Sequence, residues 1–167
     1  LDNDQRKIKL MHSILLSFLG SPVFYYGDEI GMGDNIELRD RDGVRTPMQW
    51  DDSINGGFSD VEPQKLRIPV IDDDTYGYQK VNVKASLEDP TSLLSWLKIM
   101  ITVRKQHSVF GEGTSKLCSP KNKSIIAYLR ENEQEKILVI ANFSSESQQV
   151  ALKEMGIKDQ ELQDVLN

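Results

Sequence analysis

Scarcity is the first thing the sequence offers. One cysteine, Cys118, in 167 residues excludes an intrachain disulfide and any thiolate metal cage built from this chain alone. That usage fits a reducing compartment, so a cytoplasmic location is expected. Basic residues are outnumbered, 20 against 26 acidic, and the net charge of -6 leaves no broad phosphate-neutralising surface. Nucleic acid is therefore not an expected partner. Long apolar runs are missing too: Ile14 to Leu16 and then Phe18 to Leu19 fall far short of the roughly 20 residues that span a bilayer. No membrane partner is expected. The opening Leu1, Asp2, Asn3, Asp4 is neither an initiator methionine nor the basic-then-apolar start of a secretory signal, so the chain is expected to belong to a longer polypeptide. There is no internal repeat and no low-complexity tract.

What is present suits a folded protein. Hydrophobic residues at 38% and charged residues at 28% are globular proportions, and the length allows one domain or two small ones. From Ile8 the apolar positions Met11, Ile14, Leu15, Phe18 and Leu19 trace a helical stripe, with Asp2 or Asp4 placed to cap its start and Gly20 to stop it. The stretch from Val23 to Tyr26 is apolar at nearly every position, the habit of a parallel strand covered on both faces. From Gly27 to about Ser86 the chain is rich in Gly, Asp, Asn and Pro, which predicts a very long loop with at most short helical turns. Asp89 and Pro90 then introduce a second amphipathic helix through Val103, with Arg104, Lys105 and His107 at its negative end. After Gly111 the pattern becomes strand-like: 116–119, 124–130, 136–143 and 148–152, separated by polar turns as in an antiparallel meander. The tail from Lys153 is either a short helix or a frayed end.

Three blocks carry a resemblance: Gly20 to Asn35 (GSPVFYYGDEIGMGDN), Arg41 to Trp50 (RDGVRTPMQW) and Asn55 to Ser59 (NGGFS). Together they resemble the trehalose-synthase branch of the α-amylase superfamily, glycoside hydrolase family 13. The first block is similar to the eighth barrel strand of that superfamily. RTPMQW is shared with the oligo-1,6-glucosidase and sucrose-isomerase branch, while GMGDN and Tyr76 to Val83 (YGYQKVNV) are similar to the trehalose-forming enzymes more narrowly. The similarity runs from about Leu1 to about Leu152.

The fold so implied is α/β: the terminal helix, strand, loop and helix of a (β/α)8 TIM barrel, followed by part of an antiparallel β-sheet domain. Residues 1–110 would be the end of the catalytic barrel and 111–167 the partial C-terminal β domain. On that map 5–19 is the seventh barrel helix, 23–26 the eighth strand and 91–107 the eighth helix. The implied activity of the parent protein is interconversion of maltose and trehalose by intramolecular transglucosylation. An α-glucosidase or sucrose-isomerase-like enzyme is the near alternative. A non-catalytic module that binds a sugar or associates with itself is the distant one.

A retaining mechanism needs a carboxylate nucleophile and a carboxylic acid/base about 5 Å apart. The family carries both before the eighth strand, so no catalytic residue is assigned here, and the chain alone is expected to be inactive. Candidate substrate-binding residues are Arg45, Arg41 and Asp42. Arg45 leads, because a related arginine of this block faces the hydroxyls of bound glucose and a guanidinium can hold two of them at once; the plainer reading is a salt bridge tying the loop to the barrel. Asp42 begins an Asp-Gly pair, first of all a turn signal. Asp28 and Glu29 follow the strand's carboxyl end, where they either serve substrate or bond neighbouring loops. Trp50 is read as packing, with sugar stacking the minor alternative. His12 reads as a packed or surface histidine. No metal site is assigned: a calcium loop around Asp40, Asp42 and Gly43 fails, because Leu38 and Gln49 occupy its end ligand positions. No cofactor is expected on this segment, and any family calcium site is expected upstream. The implied partners are a maltose- or trehalose-type disaccharide, the missing N-terminal part of the barrel, and possible copies of the chain itself.

Overall fold

A computed structural model describes residues 1, 3–157 and 162–166. The chain divides into two compact units, one of residues 1–22 and 99–167, the other of residues 23–98.

In the first unit, α1 (Gln5–Ser17) is capped by Asp4, whose carboxylate accepts from the Arg6 N–H at 2.9 Å. Asp2, the alternative cap, lies outside the described residues. The helix ends at Ser17, short of the expected Leu19, and Gly20 follows at a left-handed φ of 114°. Of its apolar stripe Leu16 is buried, whereas Met11, Leu15 and Phe18 are exposed. Three strands, β1 (Thr114–Cys118), β2 (Ile125–Glu131) and β3 (Lys136–Asn142), form an antiparallel sheet in the order β1-β2-β3. The β2–β3 turn is built on Asn132, whose side-chain oxygen accepts from the N–H groups of Gln134 and Glu135.

β2 is central and covered on both faces, so its burial does not alternate. On one face Tyr128 and Arg130 lie beside Ile137 and Val139, and Ile137 and Val139 pack with Val109 and Phe110 of the short helix α4 (Val109–Glu112). On the other, Ile125 and Ala127 pack with Met155, Val150 and Leu152. The expected fourth strand at 148–152 is therefore not a strand. Its alternating Val150 and Leu152 report burial against a sheet face, which needs no ladder, and Leu152–Met155 is a 3-10 turn. Part of the tail expectation falls on 158–161, outside the described residues.

Wholly buried Arg130 joins these pieces. Its guanidinium donates to the carbonyls of Ser17 and Phe18 at 2.8 and 2.9 Å, of Val109 and Phe110 at 2.9 and 3.2 Å, and of Gly113 and Thr114 at 3.0 and 3.2 Å. The ends of α1 and α4 present carbonyls short of helical N–H partners, although Val109 O also accepts from the Gly113 N–H at 3.0 Å, and a cation suits both their dipoles and their lone pairs. Burial pushes the guanidinium pKa down. Tyr128 adds a hydroxyl contact to Ser17 Oγ at 2.6 Å and an edge-on ring contact with Phe18.

The second unit has little regular structure: four 3-10 turns and the helix α2 (Val83–Glu88), capped by Asn82. The expected strand at Val23 to Tyr26 is absent, with Val23 81% exposed. An apolar run can mark a strand only where a neighbouring strand completes its ladder, and the described residues contain none beside it. α3 (Leu93–Gln106) begins two residues later than expected, after Ser92, whose hydroxyl accepts from the Ser95 N–H at 3.1 Å, while Asp89 caps the turn at Thr91 instead. α3 continues from this unit into the other. No helix among the described residues is long and apolar enough to cross a membrane.

Candidate functional site

The site lies within residues 23–98 and rests on a backbone held by side-chain amides. Gln49, fully buried, donates from Nε2 to the carbonyl of Tyr76 at 3.0 Å and to that of Val81. Asn55, also buried, donates to the carbonyls of Ser59 and Val61 at 2.8 and 2.6 Å from a left-handed conformation, φ 54°. Asn82 donates to Tyr78 O at 2.8 Å and accepts from the Ala85 N–H. Main-chain bonds from the Trp50 N–H to Gly56 O, 2.7 Å, and from the Val83 and Lys84 N–H groups to Gln49 O and Trp50 O complete the frame.

Earlier in the unit, Gly27 takes φ 94°, and a Cβ there would come within 2.7 Å of Met32 Sδ. Its N–H donates to Glu29 Oε2 at 2.8 Å, and the Tyr25 N–H donates to Asp28 Oδ2 at 3.2 Å. Asn35 donates its N–H to Gly43 O at 3.0 Å, so close that a Cβ on Gly43 would collide with the Asn35 carbonyl. This clasp leads into the 3-10 turn Asp42–Arg45 and the buried Thr46, Pro47, Met48 and Gln49. Tyr26 donates its hydroxyl to Thr46 O at 2.9 Å. Burial, then the neighbouring Tyr25, pushes the Tyr26 pKa up despite the opposing charge of Arg45, so the hydroxyl stays a donor.

A cleft of about 480 Å³ opens on this frame. Tyr26, Glu29 and Arg45 line it together with Pro47, Met48 and Trp50, and Phe58, Leu66, Arg67 and Ile68 complete the wall. Of the sequence candidates, Arg45 lines the cleft; Arg41 and Asp42 are exposed at the start of the same turn and do not. Asp28 bonds its own loop, whereas Glu29 does that and also lines the cleft. Trp50, read first as packing, is 51% exposed on the wall. Phe58 and Arg67 were not anticipated. The NGGF block gave a hint of Phe58; Arg67 sits in a stretch with no motif.

Chemically, the wall combines two guanidinium groups, one carboxylate and an apolar, partly aromatic surface. This is the composition of a small-molecule site, mostly apolar with a few orienting polar groups. Glu29 is the one carboxylate among the described lining residues, so the pair required for retaining glycoside chemistry is not assembled there. No group of three His, Cys, Asp or Glu side chains among the described residues could hold a metal ion.

Residues 1–113 match the family "Alpha amylase, catalytic domain", and residues 125–166 match "Alpha-amylase SusG C-terminal domain". The trehalose synthase of Pimelobacter sp. (strain R48) is 51% identical over 156 residues, covering 91% of this chain and 27% of that protein. An oligo-1,6-glucosidase of Parageobacillus thermoglucosidasius is 33% identical, covering 83% of this chain and 30% of that one. The crystal structure of the trehalulose synthase from Pseudomonas mesoacidophila MX-45 superposes with a TM-score of 0.72 at 25% identity, over 86% of this chain and 32% of that one. The chain thus spans about a quarter to a third of the length of these relatives. With the catalytic-domain match covering 1–113 and a C-terminal-domain match after it, the chain belongs to the α-amylase family and is homologous to the trehalose synthases.

Proposed function

We propose that this chain is part of a trehalose synthase, an enzyme that interconverts maltose and trehalose by intramolecular transfer of a glucosyl unit. Residues 1–110 supply the last two helices of its (β/α)8 barrel and the long loop between them, Val23 to Tyr26 becoming a strand only beside the upstream part of the barrel, and 111–167 supply part of its β domain. The observation that carries this reading is Arg45. It stands in the RTPMQW block, and it lines a cleft whose wall also offers Glu29 and Trp50. A planar guanidinium can bond two adjacent hydroxyls at once, fixing the ring of a bound glucose. Arg41 and Asp42 are the secondary binding candidates. The nucleophile and the acid/base belong to polypeptide outside this chain, so the fragment is inactive alone, and glucosyl transfer by that pair needs no cofactor from this segment.

The exposed apolar residues of α1, Met11, Leu15 and Phe18, favour a covering neighbour, which is the upstream part of the barrel. An isolated fragment is expected to associate with itself through the same face.

The test is disaccharide conversion. The full-length protein turns maltose into trehalose, and the 167 residues alone do not. Arg45→Ala in the full-length protein lowers kcat/KM about 100-fold, the loss of two charge-assisted hydrogen bonds. Conversion by the isolated chain, or a full-length protein that only hydrolyses maltose or acts on sucrose, overturns the proposal.

A further inference from the structure

Asn55 is the one asparagine of the sequence that is followed by glycine. In an open chain that pair cyclises readily, because glycine has no Cβ to shield its nitrogen from the preceding side chain. The fold opposes this at three points. Asn55 is 1% exposed, and its side-chain amide is fixed by donation to Ser59 O and Val61 O at 2.8 and 2.6 Å. The Gly56 N–H is itself committed to Ser53 O at 2.9 Å. A five-membered ring through the Gly56 nitrogen and Asn55 Cγ must bring that nitrogen to eclipse Cβ, which at a tetrahedral Cα needs a ψ of about −120°. Asn55 has φ 54° and ψ 27°, so the nitrogen stands roughly 150° of rotation from where the ring would close.

We propose that Asn55 is a masked deamidation site, silent while the loop is folded and converted to aspartate or isoaspartate once the loop opens. On opening, the Gly56 nitrogen gives up its proton to solvent base and bonds to Asn55 Cγ. The bond from Cγ to Nδ2 breaks, and Nδ2 takes a proton and leaves as ammonia. Water then opens the imide at either carbonyl, giving aspartate or its β-linked isomer. One water is consumed and one ammonia released; nothing is oxidised or reduced.

The product cannot resume the old conformation. An aspartate at this position has no N–H for Ser59 O and Val61 O, and it sets a negative charge against two carbonyl dipoles in a site closed to water. The β-linked isomer also lengthens the main chain by one carbon next to Gly56, whose carbonyl accepts from the Trp50 and Asp51 N–H groups at 2.7 and 3.2 Å. A reversible opening of the loop is thereby made permanent, and the damage falls on the turn that holds Trp50 in the cleft wall.

The experiment holds the full-length protein at one mildly alkaline pH, in buffer and in guanidinium chloride, and follows amide-to-acid conversion at each asparagine by peptide mapping and mass spectrometry. Asn55 is expected to convert at least about 100-fold more slowly in buffer than in denaturant, as the rarity of loop opening dictates. In denaturant it is expected to outpace Asn122, which precedes lysine, by about tenfold. Equal rates at Asn55 in the two solutions, or no lead over Asn122 in denaturant, overturn the proposal. The Asn55→Asp variant tests the permanence of the change through limited proteolysis between residues 49 and 61. Rapid cleavage there is expected, and protection equal to that of the parent overturns it. The wild-type rates stand whether or not the variant folds.

Discussion

Replacing Arg130 removes a side chain that reaches both the end of α1 and the end of α4, and the size of the loss can be worked from its bonds. Six carbonyl contacts of 2.8 to 3.2 Å depend on it, three of them at 2.9 Å or less. A hydrogen bond to a charged group contributes about 1.5–3 kcal/mol, but the desolvated guanidinium sets several kcal/mol against that sum. Truncation to alanine leaves the carbonyls behind, since they are main chain and cannot be mutated away. Water entering the vacated space reaches some of them. With about three left dry at roughly 1–2 kcal/mol each, Arg130→Ala loses about 3–5 kcal/mol. Arg130→Met, which fills the space without donors, is expected to lose nearly as much. Arg130→Lys recovers under half, because one ammonium cannot reach carbonyls from two helix ends and β1 together. Urea denaturation of the full-length protein followed by far-ultraviolet circular dichroism gives these differences. A loss below 1 kcal/mol for both Ala and Met would show that the carbonyl cluster does not need the cation.

Glu135 sets an acid limit on the hairpin. Burial opposes its ionised form, but the hydrogen bond from His107, at 2.7 Å, and that from the Val109 N–H outweigh it and hold its carboxyl below the usual 4.5. A depressed carboxyl stabilises the fold above its unfolded pKa and loses that contribution as pH falls through the folded value, so Glu135→Gln flattens the acid limb of stability below about pH 4.5. Urea midpoints from pH 3 to 7 read this; an unchanged acid limb contradicts it. Gly43→Ala forces the Asn35–Gly43 clasp apart and costs about 1–3 kcal/mol, seen as faster proteolysis between residues 35 and 45. Asn55→Ala loses two amide bonds and strains a left-handed backbone, for about 2–4 kcal/mol, whereas Asn55→Gly relieves only the strain. Equal losses for the two would refute that separation.

Legibility followed the kind of interaction. α1, α3 and three strands could be read because helical and two-residue periodicities record burial, which local sequence carries. Val150 to Leu152 was misread because apolar spacing says that a side chain is covered, not that a neighbouring backbone pairs with it; Val23 to Tyr26, largely exposed, has no neighbouring strand among the described residues to complete a ladder. Arg45, singled out by its motif, lines the cleft. Phe58 and Arg67 reach the cleft only because Gln49, Asn55 and Asn82 fold the loop across stretches of 4 to 32 residues, and no period marks such bonds. Arg130 looked like an ordinary strand residue; six carbonyls from three segments made it a hub.

The amides that frame the cleft grip carbonyl oxygens, and every amino acid carries one. The identity of the residues being gripped is therefore almost free, while that of the three grippers is not. A loop organised in this way can exchange its outward side chains over generations, trying new ligand preferences, without renegotiating its shape each time.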